Sequence, residues 1–502
     1  MPPKPRLVLQ PRDDLAWERS DETFDEWEAT LHNKATYHAI GTFILKHRPG
    51  EAVELHKPIM GGYNIFYRLE YKDGSSAALR VPSKGIVQFP EEKVRYEVAT
   101  MRYVSAHTTI PVPRVYHYGT AAENPTGLGP FIIMEFVNHD QTMSHALNDP
   151  SRGIAESHRL DPDISEEKLE FLFRQMANIV LQLSTLTFPR IGSLVEDDDG
   201  AISVEGRPLI QNMNSLIDHA RVPPWVLPSK TYTEANEWYS ALVDMHLAQL
   251  AFQHNDAVED EDDARDKYVA RQLFRKLAAE GRLAAGLGGN PDPDGTFRLW
   301  SEDLRPSNVL IDRDLRVVAV VDWEFAYVAP SQFTFDPPWW LLLGEPDWWE
   351  GGYQMWMHAY EPRLETFLRV LEDEERKLTG HGAVAVVKDA ASTPLAGAGA
   401  GAGDVKTLAR RMRESWDTRS WMVNFAARRS WSFDGLFWRY LDPAYFGPNE
   451  DGDHKARLGL LPAREVRAME PFVRAKVEEA DERVLVEWNC EKATAHLAKV
   501  LL

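Results

Sequence analysis

Apolar residues recur at helical spacing from Phe24 to about Lys46 (Trp27, Leu31, Tyr37, Ile40, Phe43, Ile44), which predicts a helical extension over residues 1–50. The pattern then changes period. NIFYRLEYKDGSSAALRVP holds two strand-like runs around Asp73-Gly74, a strong short-range hairpin signal. EEKVRYEVATMRYVSAH reads as a helix, IPVPRVYHYGT with its two prolines as an extended edge segment, and PFIIMEFV as a buried strand. Residues 51–138 therefore form a small antiparallel-sheet lobe. Over 139–378 the pattern is mostly helical. SEEKLEFLFRQMANIVLQLSTL is its clearest helix, with Ser165 placed to cap and Glu167 and Glu170 in the first turns. Within this larger lobe the apolar runs Val309 to Ile311 and Val317 to Val321 flank the charged turn Asp312, Arg313, Asp314 and read as a second hairpin. Residues 379–406 are a Gly/Ala-rich insert expected to be flexible, and 407–502 an aromatic-rich helical region packing on the larger lobe. The glycines of the insert neither follow a strand nor end in Gly-Lys-Ser/Thr, so they read as linker rather than nucleotide loop.

Composition narrows the class. A chain of 502 residues exceeds one ordinary core and calls for two or three lobes. No apolar run approaches the roughly 20 residues that span a bilayer, and the N-terminal stretch has neither the apolar core of a secretion signal nor the acid-poor pattern of a transit peptide. Cys490 is the single cysteine, which excludes an intramolecular disulfide framework and a multi-thiolate metal site. These features favour a reducing, cytoplasmic location. A net charge of −21 argues against nucleic acid or an anionic membrane as partner and mildly favours a cationic small-molecule substrate, although an acidic surface alone accounts for it. The acidic run Asp256 to Asp266 reads as a solvated loop leading into a helix.

The chemistry is concentrated in LWSEDLRPSNVLIDRDLRVVAVVDWEFAYVAP. Asp303 opens a D-x-x-x-x-N pattern ending at Asn308, and the hairpin that follows carries Asp322 back beside Asn308. Phosphoryl transfer from a magnesium nucleotide uses this spacing: the first Asp takes or orients the acceptor hydroxyl proton, and the Asn and second Asp hold magnesium. A kinase-like cleft needs four further parts, and each has a candidate in the right order. Gly61, Gly62, Tyr63 and Asn64 form a turn whose backbone N–H groups could approach phosphate. Arg80 ends a strand where the kinase pattern has lysine, Glu97 lies on the next helix within reach of an ion pair, and Glu135 and Val137 are the backbone contacts expected for adenine.

Taken together, GGYN, ALRVP, KVRYEVATMRYV, TTIPVPRVYHYG, FIIMEFV, DLRPSNVLID and VVDWEFAYVAP resemble the aminoglycoside phosphotransferase and choline kinase branch of the protein-kinase-like fold, in order over roughly residues 55 to 350. The resemblance implies an α+β two-lobed fold, ATP and Mg2+, and phosphorylation of a small-molecule hydroxyl. It implies Asp303 as catalytic base, Asn308 and Asp322 as metal ligands, and Arg80 with Glu97 as the phosphate-binding pair. Two departures stand out. Ser301-Glu302-Asp303 replaces the usual H-G-D or H-R-D, removing the His that braces the catalytic loop, and arginine replaces lysine at position 80. Asp336 is either a second-shell hydrogen-bond donor-acceptor partner of the catalytic loop or simply a turn residue before Pro337.

Two other readings compete. A pseudokinase or nucleotide-regulated binding protein without fast turnover would fit the altered SED and Arg80, but a pure scaffold has no need of Asp303, Asn308 and Asp322 together. A protein kinase fits least: Asp322 is followed by Trp323-Glu324 rather than Phe-Gly, and no Ala-Pro-Glu closes an activation segment.

Overall fold

The β-rich first lobe is built around one long hairpin, β3 (Asn64–Tyr71) and β4 (Ser76–Pro82), turned at Gly74, whose φ of 82° suits glycine. The computed structural model describes residues 13–153, 156–288, 295–380 and 406–501. β1 (Ala52–Leu55) and the short β2 (Ile59–Met60) pair with β3, while β5 (Val115–Gly119) forms the edge beyond β6 (Phe131–Glu135) in the order β1-β3-β4-β6-β5, every pairing antiparallel. All of β4 is buried. Apart from Ser76 and Arg80 it is apolar, as a strand covered on both faces requires.

One cover is the N-terminal region. The helical extension expected over 1–50, of which residues 1–12 lie outside the described residues, comprises two helices, α1 (Asp14–Leu31) and α2 (Lys34–His47), because the Asn33 side chain accepts from the Thr36 N–H at 2.8 Å and starts a new helix. Phe24, Trp27, Leu31, Ile40, Phe43 and Ile44 pack with Tyr67, Leu79, Phe131 and Ile133 in one core. These helices are thus a layer of the small lobe. The helix α3 (Pro90–His107) belongs to a separate core that continues into the larger lobe.

α1 also reaches the larger lobe. The Gln253 amide donates to Asp13 at 2.6 Å, Ser20 donates to Asp218, and Trp17 stacks on His219 with ring centroids 4.2 Å apart. Gly85 lies directly beneath it at φ +86°, where a Cβ would sit 2.7 Å from the Ser20 carbonyl oxygen.

In the larger lobe β7 (Gln141–Thr142) and α4 (Met143–Leu147) lead to α5 (Glu166–Ser184), which Ser165 caps with Glu166 and Glu167 in the first turn. The acidic run forms the start of the helix Glu261–Ala279, where Asp260 is the cap and Arg265 pairs with Glu261 and Asp262. The C-terminal helices Leu408–Thr418, Ser420–Arg428 and Ala463–Glu482 pack on this lobe through its continuous core. Nearly all of the Gly/Ala-rich insert, residues 381–405, lies outside the described residues. Among the described residues no helix is long and apolar enough to cross a membrane.

Burial pushes the Asp13 carboxyl up to about 7, with the Gln253 hydrogen bond opposing it. The folded protein therefore holds a proton that the unfolded chain releases near pH 4, and this contribution to stability is lost as pH rises through about 7. Asp13→Asn should stabilise the protein at pH 8 by roughly 2–4 kcal/mol, with the gain vanishing near pH 4, as read from urea unfolding at both pH values.

Candidate active site

The candidate catalytic segment is a loop held closed at both ends. Phe297–Ser301 and Ala326–Pro330 pair antiparallel, with Ser301 opposite Ala326, so residues 302–325 leave and return at one point. Inside the loop, Val309–Ile311 and Val317–Val320 form the expected hairpin, and Val321 N–H donates to the Asn308 carbonyl at 2.9 Å. The Asn308 amide donates to the Asp303 carbonyl oxygen at 2.8 Å and to its Oδ2 at 2.9 Å. Arg305 Nε lies 2.9 Å from the other carboxylate oxygen. Asp303 is thus fixed on both sides. Burial pushes its carboxyl upward, against Arg305 and Asn308.

Asp322 sits at φ 64° and Phe325 at φ 58°, a conformation that non-glycine residues seldom adopt. The buried indole of Trp323 donates to the Val320 carbonyl at 2.9 Å and turns the chain there. As a result the Asp322 side chain remains 28% exposed while its neighbours are buried. Strain at such a position is commonly stored at functional sites.

Opposite this loop lies Arg80, only 2% exposed. Its guanidinium pairs with Glu97 and with Asp322, and Nη2 lies 3.1 Å from Glu324 Oε2. Burial works against the Arg80 charge, and Glu97, Asp322 and Glu324 more than restore it. The same neighbourhood acts on Asp322 in the opposite sense: burial and then Glu324 push its carboxyl up to about 7, opposed by Arg80. Glu324 itself is held below the usual range by Lys93 and Arg80, although burial pulls the other way.

The structure brings Asp303, Asn308, Asp322, Arg80 and Glu97 together. The glycine turn is also in place, as the β2–β3 connection, but the Gly61 N–H donates to the Asn64 carbonyl at 2.8 Å and so is committed. Tyr63 points toward the larger lobe, its ring 5.5 Å from that of Phe325. Asn64 does not face a phosphate position: its side chain is buried between Glu324, to which it donates at 3.1 Å, and Lys93. At the interlobe strand the Glu135 N–H is committed to the Arg114 carbonyl at 2.8 Å, and the Val137 carbonyl faces the His139 ring at 2.9 Å. Asp336 does not bond the catalytic loop. It accepts from Ser415 at 2.8 Å and Asn424 at 2.9 Å, anchoring the C-terminal helices, with Arg428 3.7 Å away.

Sequence reasoning did not single out Glu324, Lys93 or Glu302 as site residues. Lys93 Nζ is 2.7 Å from Asn64 Oδ1 and pairs with Glu324, and both charged side chains are 1% exposed. The available signal was a lysine one turn before Glu97 in a largely buried helix. Glu302 accepts the Gln211 N–H at 2.7 Å at the start of the helix Gln211–Asp218, one of the donors a helix N-terminus leaves unpaired. It ties the catalytic loop to that helix in place of the missing His, and burial pushes its carboxyl up to about 6.

The sequence model described as the phosphotransferase enzyme family matches residues 56–371, well over half of the protein. The chain belongs to the phosphotransferase enzyme family. Its fold is of the α+β class expected, an antiparallel-sheet lobe beside a larger, mostly helical one. Among curated relatives of this phosphotransferase-family chain, the "Altered inheritance of mitochondria protein 9, mitochondrial" of Clavispora lusitaniae is 25% identical over 300 residues, covering 54% of this chain and 47% of the relative. A protein of the same name from Debaryomyces hansenii is 30% identical over 147 residues, covering 28% and 21%. A subtelomeric hrmA-associated cluster protein of Aspergillus fumigatus is 27% identical over 146 residues, covering 29% and 25%. The chain thus spans about half or less of the length of these relatives.

Among solved structures, Plasmodium vivax ethanolamine kinase superposes with TM-score 0.39 and 10% identity, covering 96% of each chain. A thermostable aminoglycoside phosphotransferase APH(4)-Ia in ternary complex with AMP-PNP and hygromycin B gives TM-score 0.36 and 16% identity, covering 68% of this chain and 92% of that one. Superpositions this loose carry no argument about chemistry. The cytoplasmic expectation is overturned by the relatives named as mitochondrial proteins.

Asn308→Ala removes both hydrogen bonds that Asp303 receives from this side chain. It should lower stability by on the order of 1–3 kcal/mol at pH 7 in urea unfolding, with an unchanged m-value showing that the fold persists.

Proposed function

We propose that this family member transfers the terminal phosphoryl group of ATP to a hydroxyl of a small molecule, using Mg2+. The observation that carries the reading is the convergence of Asp303, Asn308 and Asp322 on one loop facing the Arg80–Glu97 pair. Asp303 has its carboxylate oriented by Asn308 and Arg305, as a group that takes or orients the acceptor proton requires. Asn308 commits its amide N–H group to Asp303 and keeps its carbonyl oxygen, and Asp322 keeps a partly exposed carboxylate. Hard oxygen donors of this kind suit magnesium, which takes its remaining ligands from phosphates and water. Among the described residues no group of three or more His, Cys, Asp or Glu is arranged to hold a metal. When bound, magnesium would neutralise charge on the transferring phosphoryl group.

The acceptor is assigned to a cleft that Glu302, the chain neighbour of Asp303, helps to line. This cleft of roughly 250 Å³ lies beneath Tyr63, bounded by Gln211, Glu302, Glu345, Asp347 and Arg429. Its carboxylates support a hydroxyl-rich or cationic acceptor, and its size supports a small molecule rather than nucleic acid or membrane.

Binding without fast turnover is the second reading, supported by the hold of three carboxylates on Arg80, which leaves its guanidinium less free to act on a transferring phosphoryl group. Thermal unfolding with and without ATP and Mg2+ addresses the nucleotide site shared by both. Parent protein at 100 times the dissociation constant should gain about 2.7 kcal/mol of stability, and Asp322→Ala should lose the magnesium-dependent part. Because burial and Glu324 raise the Asp322 carboxyl, magnesium must compete with a proton there as pH falls, so its affinity should weaken progressively with falling pH. A folded parent that shows no shift at pH 8 would overturn both readings. Phosphate transfer from labelled ATP to a panel of small alcohols then separates turnover from binding alone.

A further inference from the structure

Helix α3 carries two opposite charges one turn apart, Lys93 and Glu97, and both are buried. Glu97 pairs with Arg80 across the sheet, whereas Lys93 reaches the D-W-E loop of the other lobe. Its ammonium pairs with Glu324 and lies 2.7 Å from Asn64 Oδ1, and the Asn64 amide donates to the same Glu324 carboxylate at 3.1 Å. Three segments therefore meet at one buried carboxylate: the strand that follows the Gly61-Gly62 turn, helix α3, and the loop that carries Asp322. Glu324 is also 3.1 Å from Arg80 Nη2.

The charges explain why a second cation is needed. Arg80 faces Glu97, Asp322 and Glu324, and a buried charge left uncompensated is strongly destabilising. A guanidinium is planar, and its donors point along fixed directions. Were it the sole cation, it would have to divide one edge between Asp322 and Glu324. With Lys93 also on Glu324, Nη2 still touches both carboxylates, but the charge of Glu324 is shared with a second cation and more of the Arg80 charge is left for Asp322 and whatever anion lies beyond it.

We propose that Lys93 is a positioning residue for the nucleotide site: by neutralising Glu324 and holding Asn64, it keeps Arg80 aligned with Asp322 and the glycine turn fixed over the loop. An arginine can then stand where the common pattern has lysine. This inference rests on the nucleotide-binding reading above.

The test compares parent, Lys93→Met and the double variant Lys93→Met/Glu324→Gln, measuring ATP binding with Mg2+ by calorimetry at a temperature where each is folded. Lys93→Met should weaken binding at least tenfold, and the double variant, in which neither buried charge remains, should recover most of that loss. Recovery is not expected if Lys93 merely fills space, because Glu324→Gln restores no volume. The inference is wrong if Lys93→Met binds as the parent does, or if the folded double variant binds no better than the single one. Should Lys93→Met fail to fold, the double variant decides: near-parent binding supports the inference, and a loss of tenfold or more overturns it. A parent that binds no nucleotide removes the functional reading itself and this inference with it, an outcome distinct from a binding parent with an unaffected variant.

Discussion

The guanidinium of Arg80 is buried to 2% exposure, and the arrangement of the cleft follows from the need to compensate it. Two of its carboxylate partners, Asp322 and Glu324, come from the larger lobe and one, Glu97, from the smaller. The pairing is therefore also a joint between lobes. Lys93 and Asn64 complete it from the small-lobe side, so that five charged side chains and one amide close a single network. Buried ion pairs of this kind seldom add much net stability over apolar packing, but losing one partner leaves a charge stranded. Specific geometry, rather than stability, is what such a network secures here.

Local features of the fold were readable along the chain because their causes are local. Asp73-Gly74 turns the hairpin through the conformational freedom of one glycine, Ser165 caps a helix through its own hydroxyl, and the apolar runs flanking the charged turn Asp312 to Asp314 make the second hairpin. The sequence likewise placed Asp303, Asn308 and Asp322 together, since a short hairpin leaves no other return path. Asn33 was overlooked as a break between two helices because apolar periodicity continues across it.

Long-range choices of partner were not readable. Glu324 and Lys93 lie far apart in sequence, and each resembles an ordinary charged residue until the fold buries both. Asn64 looked like part of a phosphate loop because it follows two glycines, yet the strand begins at Asn64 itself and its side chain turns inward to that pair. Asp336 looked like a brace for the catalytic loop. The C-terminal helices claim it through Ser415 and Asn424, and those helices were the region where pattern carried least information. The bracing role fell instead to Glu302, next to Asp303, through a helix N–H that no sequence spacing identifies.

Asp322 holds two roles that draw on the same charge. It is a partner of Arg80, and on the proposed function it is a ligand of magnesium. A divalent cation at Asp322 would take up the negative charge that Arg80 now satisfies, and the guanidinium would then be better placed to attract another anion. The phosphates that accompany magnesium are anions of that kind, and a guanidinium can grip their oxygens in pairs. Metal and nucleotide would thus favour each other's binding through one carboxylate. The condition is that Glu324 stays neutralised from elsewhere, since otherwise it would hold the guanidinium back. Lys93, buried on the far side of Glu324, meets that condition.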